Sequence, residues 1–332
     1  MVKDRRLQDR RFFLGDTMAS SVLKKVIGML VFYGRYSLSF TEIGYRVRRL
    51  AWPKDTRDFS GQHWLVTGAS GGLGREIALT AAAGGAQVIA AARSAQKLAA
   101  LPGVQPERCD FTSLAETQGL IERVAALGRP LDVLVNNVGV LNAECTITAE
   151  GFEASFISNL LSHYQLTQGL IERGVLRPGS IVINMTSGGA YMAPLRTAFL
   201  NVPDPAHFSG IAAYAMHKRA QIVLNECWRE QYRERGIECY VMHPGWADTA
   251  GVQRSLPGFR KLYRPILRDA RSGADTALWL AEVRPSQPEG PCLWFDRKPR
   301  TTHAFAVTQQ GDTPESLMHL LQSALQGVRP SG

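Results

Sequence analysis

The feature that most limits what this chain can fold into is a short apolar run followed by a glycine-rich turn and an alanine-rich stretch. Residues 62–67 form the apolar run, Gly68-Ala-Ser-Gly-Gly-Leu-Gly74 the turn, and residues 75–83 the alanine-rich stretch. Glycines let the backbone approach a pyrophosphate, and the following helix offers free N–H groups and the positive end of its dipole. Strand, glycine turn and helix in this order predict a dinucleotide-binding site.

Further alternation of strand and helix signals predicts one doubly wound parallel sheet of the Rossmann type, an α/β fold with helices on both faces. The expected strands are residues 87–92, 104–109, 131–135 and 181–185, and the expected helices are residues 114–127, 151–171 and 214–235. Asn136 and Asn137 directly follow one of these strands. Because parallel sheets bind ligands at the carboxyl ends of their strands, we expect both residues near the ligand.

The residues after the second strand bear on the choice of nicotinamide cofactor. An NAD site usually has an Asp or Glu there, which holds the ribose 2′-hydroxyl. This chain has Ala91, Ala92 and then Arg93, whose guanidinium can pair with a 2′-phosphate. The pattern favours NADP(H) over NAD(H). The alternative is that Arg93 is a solvated residue at a helix start.

Tyr214 and Lys218 are spaced to lie on one face of a helix. An ammonium group close to a phenol stabilises the phenolate and lowers the tyrosine pKa from about 10. Such a tyrosine can exchange a proton with a substrate oxygen near neutral pH. The spacing alone is common on protein surfaces, and it gains weight from the glycine turn and from a strand that runs into Ser187.

The charge of the chain is concentrated at its N-terminus. The 332 residues carry a net charge of +9, but residues 1–54 alone hold 12 Lys and Arg against 4 Asp and Glu. The remainder is nearly neutral, so we expect no nucleic-acid partner. Five cysteines without C-x-x-C spacing argue against a disulfide framework and a zinc ribbon, and favour a reducing, cytoplasmic location.

The N-terminal segment leaves two interpretations open. A basic amphipathic helix over about residues 20–50 would bring residues 18–50 onto an anionic membrane surface. The same segment can instead pack on the body, or against a partner subunit, with its charges in water. No apolar run in it approaches the roughly 20 residues of a membrane-spanning helix. Either Met1 or Met18 can be the physiological start.

In these motifs the chain resembles the short-chain dehydrogenase/reductase family over about residues 61–300. The matching residues are Thr67-Gly68-x-x-x-Gly72-x-Gly74, Asn136-Asn137-x-Gly139, Ser187, Tyr214-x-x-x-Lys218 and Pro244-Gly245-x-x-x-Thr249. Within the family it is most similar to the subgroup of family member 12, on the runs 186–189, 242–249, 273–281 and 296–299. The expected domains are a basic extension over residues 1–60, the catalytic domain over 61–300, and a C-terminal helix and tail over 301–332.

The resemblance implies an NADP(H)-dependent carbonyl reductase or alcohol dehydrogenase. Tyr214 would be the general acid/base, Lys218 would hold the nicotinamide ribose and lower the pKa of Tyr214, and Ser187 would orient the carbonyl. Asn159 would kink its helix and hold a proton-relay water. Besides Tyr214 and Lys218, the residues expected at the cofactor are Gly68, Ser70, Gly72, Leu73, Gly74, Arg93, Asp110, Asn137, Gly139, Pro244, Gly245 and Thr249.

The segment between Ser187 and Tyr214 is longer than in most of the family. Its residues 190–211 are expected to form a flap over the substrate, with a surface loop as the alternative. The opposite wall would contain Trp246, Phe259 and Tyr263, which suits a bulky apolar carbonyl or alcohol. His217 and His243 lack acidic or cysteine partners at ligand spacing, so no metal is expected. A catalytically silent NADP-binding regulator or scaffold is the alternative function, and helices 151–171 and 214–235 resemble the family's dimerising pair.

Overall fold

The computed structural model describes residues 34, 36–249, 253, 255 and 257–328, and in these residues eight strands form one sheet. The strands are β1 (His63–Thr67), β2 (Gln87–Ala92), β3 (Val104–Arg108), β4 (Val133–Asn136), β5 (Ile181–Met185), β6 (Glu238–Met242), β7 (Leu293–Phe295) and β8 (Lys298–Arg300). Their spatial order is β3-β2-β1-β4-β5-β6-β7-β8. All neighbours pair in parallel except β7 and β8, which form an antiparallel hairpin at the edge. The predicted doubly wound α/β sheet is confirmed.

The helices are α1 (Glu42–Arg49), α2 (Gly72–Ala83), α3 (Ala95–Ala99), α4 (Leu114–Ala126), α5 (Ala154–Phe156), α6 (Ser162–Glu172), α7 (Gly210–Tyr232), α8 (Pro257–Tyr263), α9 (Ala270–Val283) and α10 (Pro314–Val328). The helix predicted over 151–171 is interrupted, because a π-helical turn over Ile157–Leu161 joins α5 to α6. The helix predicted from residue 214 begins four residues earlier, at Gly210. Tyr214 therefore lies inside α7 and not at its first position.

The sheet separates two apolar cores. Successive side chains of a strand point to opposite faces, so Leu65 of β1 lies in one core and its neighbours Trp64 and Val66 in the other. Helices α4, α6, α7 and α10 cover the first face, and α2 and α9 cover the second. Because helices cover both faces of the sheet, the central strands are continuous apolar runs in the sequence.

The described part of the N-terminal segment packs on the body. Phe40 and Tyr45 are only 2% and 4% exposed, and Phe40 contacts Phe295 of β7 with ring centroids 5.1 Å apart. Of the helix predicted over about residues 20–50, the part before residue 36 lies outside the described residues, apart from Gly34. Among the helices that the structure describes, none combines the length and the apolar character needed to cross a bilayer.

The segment after β5 is held to the body by the C-terminal part of the chain. Buried Arg219 of α7 donates to the carbonyls of Ala190, Ala193 and Thr302. Asp312 accepts hydrogen bonds from the main chain and the hydroxyl of Thr197. Helix α10 then packs its apolar face into the core shared with α7. A dimer formed through α7 would have to accommodate α10 of the same chain.

Candidate active site

The glycine turn between β1 and α2 has the geometry of a phosphate cradle. Gly68 and Gly72 have φ angles of +68° and +55°, which favour glycine. A Cβ atom at Gly74 would overlap the side-chain amide of Asn137. Gly71 caps α2 without a side-chain hydrogen bond, so the first-turn N–H groups carry no capping side chain from the described residues. These residues fit a pyrophosphate at the helix N-terminus.

The ends of β1 and β4 are tied together beside this cradle. The Thr67 hydroxyl accepts hydrogen bonds from the main-chain N–H groups of Asn137 and Val138, at 2.9 and 3.2 Å. The Asn137 amide donates to the Thr67 carbonyl at 2.8 Å. Two residues further on, a Cβ atom at Gly139 would lie 3.0 Å from the Lys218 ammonium. Glycine at this position therefore lets the cofactor-facing segment approach Lys218 closely.

The other residues predicted at the cofactor differ in burial and in the partners they already have. Ser70 and Leu73 are partly buried in and after the turn, and Arg93 is exposed just beyond the end of β2. Asp110 already accepts two hydrogen bonds from Thr112, one from its N–H and one from its hydroxyl. Thr249 lies over the turn, because a Cβ atom at Gly72 would be 3.5 Å from it. Arg268 contacts the segment before Thr249. The Pro244 carbonyl accepts a hydrogen bond from Arg268, and a Cβ atom at Gly245 would overlap the Arg268 guanidinium.

Tyr214, Ser187 and Lys218 meet at the carboxyl end of β5. The Ser187 hydroxyl acts to lower the pKa of the Tyr214 phenol, but burial raises that pKa by more. The Lys218 ammonium lies 5.6 Å from the centre of the Tyr214 ring and donates to the Met185 carbonyl at 2.9 Å. Burial lowers the pKa of Lys218 to about 7. The sequence-based prediction that Lys218 lowers the pKa of Tyr214 therefore differs from this structure, where burial dominates both groups.

Asn159 lies in the π-helical turn, as its predicted role in kinking the helix requires. Its side chain is fully buried and holds the segment after β4: Oδ1 accepts from the Val140 N–H at 2.7 Å, and Nδ2 donates to the Val140 carbonyl at 2.8 Å. Its main-chain carbonyl accepts a hydrogen bond of 2.6 Å from Gln221 Nε2. Gln221 is not among the site residues predicted from the sequence, although it follows Lys218 by three residues.

His217 and His243 are both buried within the fold. His217 Nε2 lies 2.7 Å from the Leu200 carbonyl, and His217 Nδ1 lies 3.3 Å from the Asn159 amide. His243 stacks on Phe295. Burial lowers the pKa of His217 to about 4 and that of His243 to about 3, so both rings are neutral near pH 7. The described residues contain no group of three His, Cys, Asp or Glu side chains that could hold a metal.

Aromatic side chains predicted to form a pocket wall do come together. Trp246 contacts Phe259 and Tyr263 with ring centroids 5.1 and 5.0 Å apart. The main-chain N–H of Trp246 donates to the Phe40 carbonyl, so the N-terminal segment holds this wall from behind. Phe40 also lies against Gly188, directly after Ser187, where a Cβ atom would be 3.2 Å from its ring.

Comparisons with known proteins agree with this geometry. Residues 62–200 match the family model described as short chain dehydrogenase. The chain is 32% identical over 285 residues to dehydrogenase/reductase SDR family member 12 of Homo sapiens, covering 80% of this chain and 87% of that protein. This chain belongs to the short-chain dehydrogenase/reductase family. Retinol dehydrogenase 12 of Homo sapiens is 27% identical, over 69% of this chain and 75% of that protein.

Solved structures of other proteins share the fold. A crystal structure of a protein from Mycobacterium Paratuberculosis has a TM-score of 0.64 at 22% identity, covering 81% of this chain and 95% of that chain. The angucycline C-6 ketoreductase LanV with bound NADP has a TM-score of 0.54 at 23% identity, covering 68% and 90%. Family membership makes the protein an NAD(P)-dependent oxidoreductase close to the subgroup of family member 12.

Proposed function

We propose that the protein interconverts a carbonyl and an alcohol on a bulky apolar substrate with NADP(H), and that Tyr214 is the general acid/base. The observation that carries this proposal is the grouping of Tyr214 with Lys218, whose ammonium lies 5.6 Å from the centre of the Tyr214 ring and beside Gly139 on the cofactor side, while the Ser187 hydroxyl acts on the phenol. A protein that only binds a nucleotide has no use for a phenol and a hydroxyl paired at this position.

The chemistry divides between the cofactor and the chain. The nicotinamide, when bound, supplies or accepts the hydride. The Ser187 hydroxyl holds the substrate oxygen, and Tyr214 transfers its phenolic proton to that oxygen as the carbonyl is reduced. The raised pKa of Tyr214 keeps the phenol protonated near neutral pH, which suits it to act as the acid in reduction. Lys218 and the glycine turn hold the cofactor.

The aromatic wall around Trp246 supports an apolar substrate of some size. The relatives named retinol dehydrogenase support the same class. The test is consumption of NADPH with long-chain aldehydes and aromatic or polycyclic ketones, with pyruvate as a small charged comparison. Turnover of the apolar compounds alone is expected. NADPH binding without turnover of any of them would favour the regulator or scaffold instead.

Preference for NADP(H) is proposed to depend on Arg93, which is exposed at the end of β2 where a 2′-phosphate would lie. A charge-assisted hydrogen bond contributes about 1.5–3 kcal/mol. Arg93→Ala is therefore expected to weaken NADPH binding at least tenfold, with NADH binding changed less than about threefold. Fluorescence titration with both cofactors measures this. Lys97→Ala, one turn into α3, is the matched control, and an equal loss for both cofactors would contradict the assignment.

We also propose that the N-terminal segment contacts an anionic membrane surface. In α1, Tyr45 is buried against the body, whereas Ile43, Val47 and Leu50 form a stripe at helical spacing on the outer side. Val47 is 63% and Leu50 is 88% exposed. The exposed side chains of Arg46 and Arg49 flank this stripe, and residues 1–54 supply most of the net charge. An apolar stripe flanked by arginines suits a helix lying in the interface plane.

Vesicle flotation tests this contact. The wild type is expected to float with vesicles of phosphatidylcholine and phosphatidylserine and to remain behind with phosphatidylcholine alone. Ile43→Ser with Val47→Ser and Leu50→Ser should lower the bound fraction severalfold, because these side chains stabilise no core. Leu127→Ser with Val283→Ser changes exposed apolar residues elsewhere and is the control. Equal flotation of all three proteins would reject the contact.

A further inference from the structure

Gln221 links three parts of the active site through one buried amide. Its side chain lies in α7 and the residue is 2% exposed. The Lys218 ammonium donates to its Oε1 at 3.0 Å. Its Nε2 donates to the main-chain carbonyl of Asn159 at 2.6 Å and lies 3.2 Å from Nδ1 of His163. No other described side chain connects the π-helical turn to Lys218 in this way.

The neighbours of this amide allow only one orientation. Lysine has donors only, so the atom facing Lys218 must be the amide oxygen. The Asn159 carbonyl only accepts, so the atom facing it must be the amide nitrogen. The second N–H is then directed at His163 Nδ1, which accepts when the neutral ring carries its proton on Nε2. Burial and the charge of Lys218 lower the pKa of His163 to about 3, which keeps it neutral.

We propose that Gln221 is a positioning residue, whose amide holds the Lys218 ammonium beside Gly139 and separates it from the Asn159 carbonyl. In the part of the chain that the structure describes, the ammonium has two protein acceptors, the Met185 carbonyl and the Gln221 oxygen. A third donor of the ammonium remains for the cofactor side, where a Cβ at Gly139 would come within 3.0 Å. The proposal needs the cofactor site and does not depend on which substrate is turned over.

This placement changes the expected proton path. A relay water between Asn159 and Lys218 would occupy the gap that the amide of Gln221 already bridges. An amide does not pass a proton on at neutral pH, so Lys218 must exchange protons from the side of the cofactor and Tyr214. The titratable groups that face Lys218 are Tyr214 and His217 on its own helix and His163 on α6. In the described residues no carboxylate pairs with it.

The test is the protonation of Lys218 in full-length protein labelled with 13Cε-lysine, followed by NMR between pH 5 and 10 without substrate. The resonance absent from Lys218→Arg identifies the group. Gln221→Glu keeps the acceptor and adds a negative charge, so the midpoint should rise by about one pH unit or more. Gln221→Leu keeps the volume and removes the acceptor, so the midpoint should fall.

Opposite shifts in the two variants distinguish positioning from simple core filling. Gln168→Glu makes the same chemical change elsewhere on α6, where Gln168 accepts from Tyr232, and should leave the midpoint unchanged. NADPH titrations at pH 6 and pH 9 should rank the variants in the same order as the Lys218 midpoints that NMR measures. Shifts in the same direction for both variants, or none, would overturn the proposal. Failure to find a substrate would bear only on the proposed function, because this titration uses none.

Discussion

Tyr214→Phe is expected to lower the rate of carbonyl reduction by about 10²–10⁴-fold. The substitution removes the phenol hydroxyl and keeps the ring that packs beside Lys218. In the proposed function the glycine turn and Lys218 hold the cofactor, so the affinity for NADPH should stay within about threefold. Initial rates of NADPH oxidation and a fluorescence titration measure the two quantities separately.

The control for this change lies at the other end of the same helix. Tyr232 is buried in the core, and its hydroxyl donates to Gln168, far from the cradle. Tyr232→Phe removes one hydroxyl from α7 and should leave the turnover unchanged. Substantial activity in Tyr214→Phe would mean that another group donates the proton. Loss of NADPH binding together with turnover would assign the phenol to binding.

Local spacing predicted the parts of the site that lie close together in the chain. The glycine turn is contained within seven residues, and Tyr214 and Lys218 are one helical turn apart, so periodicity alone places them. Strands β1, β2, β4 and β5 share this property, since each is a largely buried apolar run between turn signals. The fold class follows from their alternation with helices.

What spacing could not show depends on contacts between distant parts of the chain. The π-helical turn around Asn159 has no periodic signal in the sequence. Gln221 reaches the Asn159 carbonyl only because α6 packs beside α7. The short hairpin of β7 and β8 has three residues in each strand, too few for a clear alternation. Amphipathic spacing in the N-terminal segment indicated a helix, but not which surface its apolar side would meet.

A buried ion pair attaches the N-terminal segment to the body of the protein. Asp296 is 1% exposed and accepts two hydrogen bonds from Arg268, at 2.7 and 2.8 Å, and one from Arg48 of α1 at 2.7 Å. Arg268 is equally buried, and its remaining N–H groups donate to the carbonyls of Phe40, Ser39 and Pro244. One guanidinium thus ties the N-terminal segment to the main chain that covers the cofactor site.

Asp296→Asn is expected to lower the free energy of unfolding by about 3–5 kcal/mol, because it leaves the Arg268 cation buried without a carboxylate. Asparagine has the same shape and tolerates the φ angle of +48° found here, so backbone strain should not contribute. The melting temperature should fall by roughly 5–15 °C. NADPH affinity should fall as well, because Arg268 supports Pro244 and Gly245.

Arg46→Ala provides the comparison within the same segment, since Arg46 is exposed and, among the described residues, forms its ion pair with Glu42 on its own helix. It should leave the melting temperature essentially unchanged, because exposed pairs stabilise little. Thermal unfolding and NADPH titration of both variants measure the difference. A loss in Asp296→Asn no larger than in Arg46→Ala would mean that the N-terminal segment is held by the aromatic contacts of Phe40 and not by charge. In that case apolar packing alone would position Trp246 and the neighbouring residues Pro244 and Gly245.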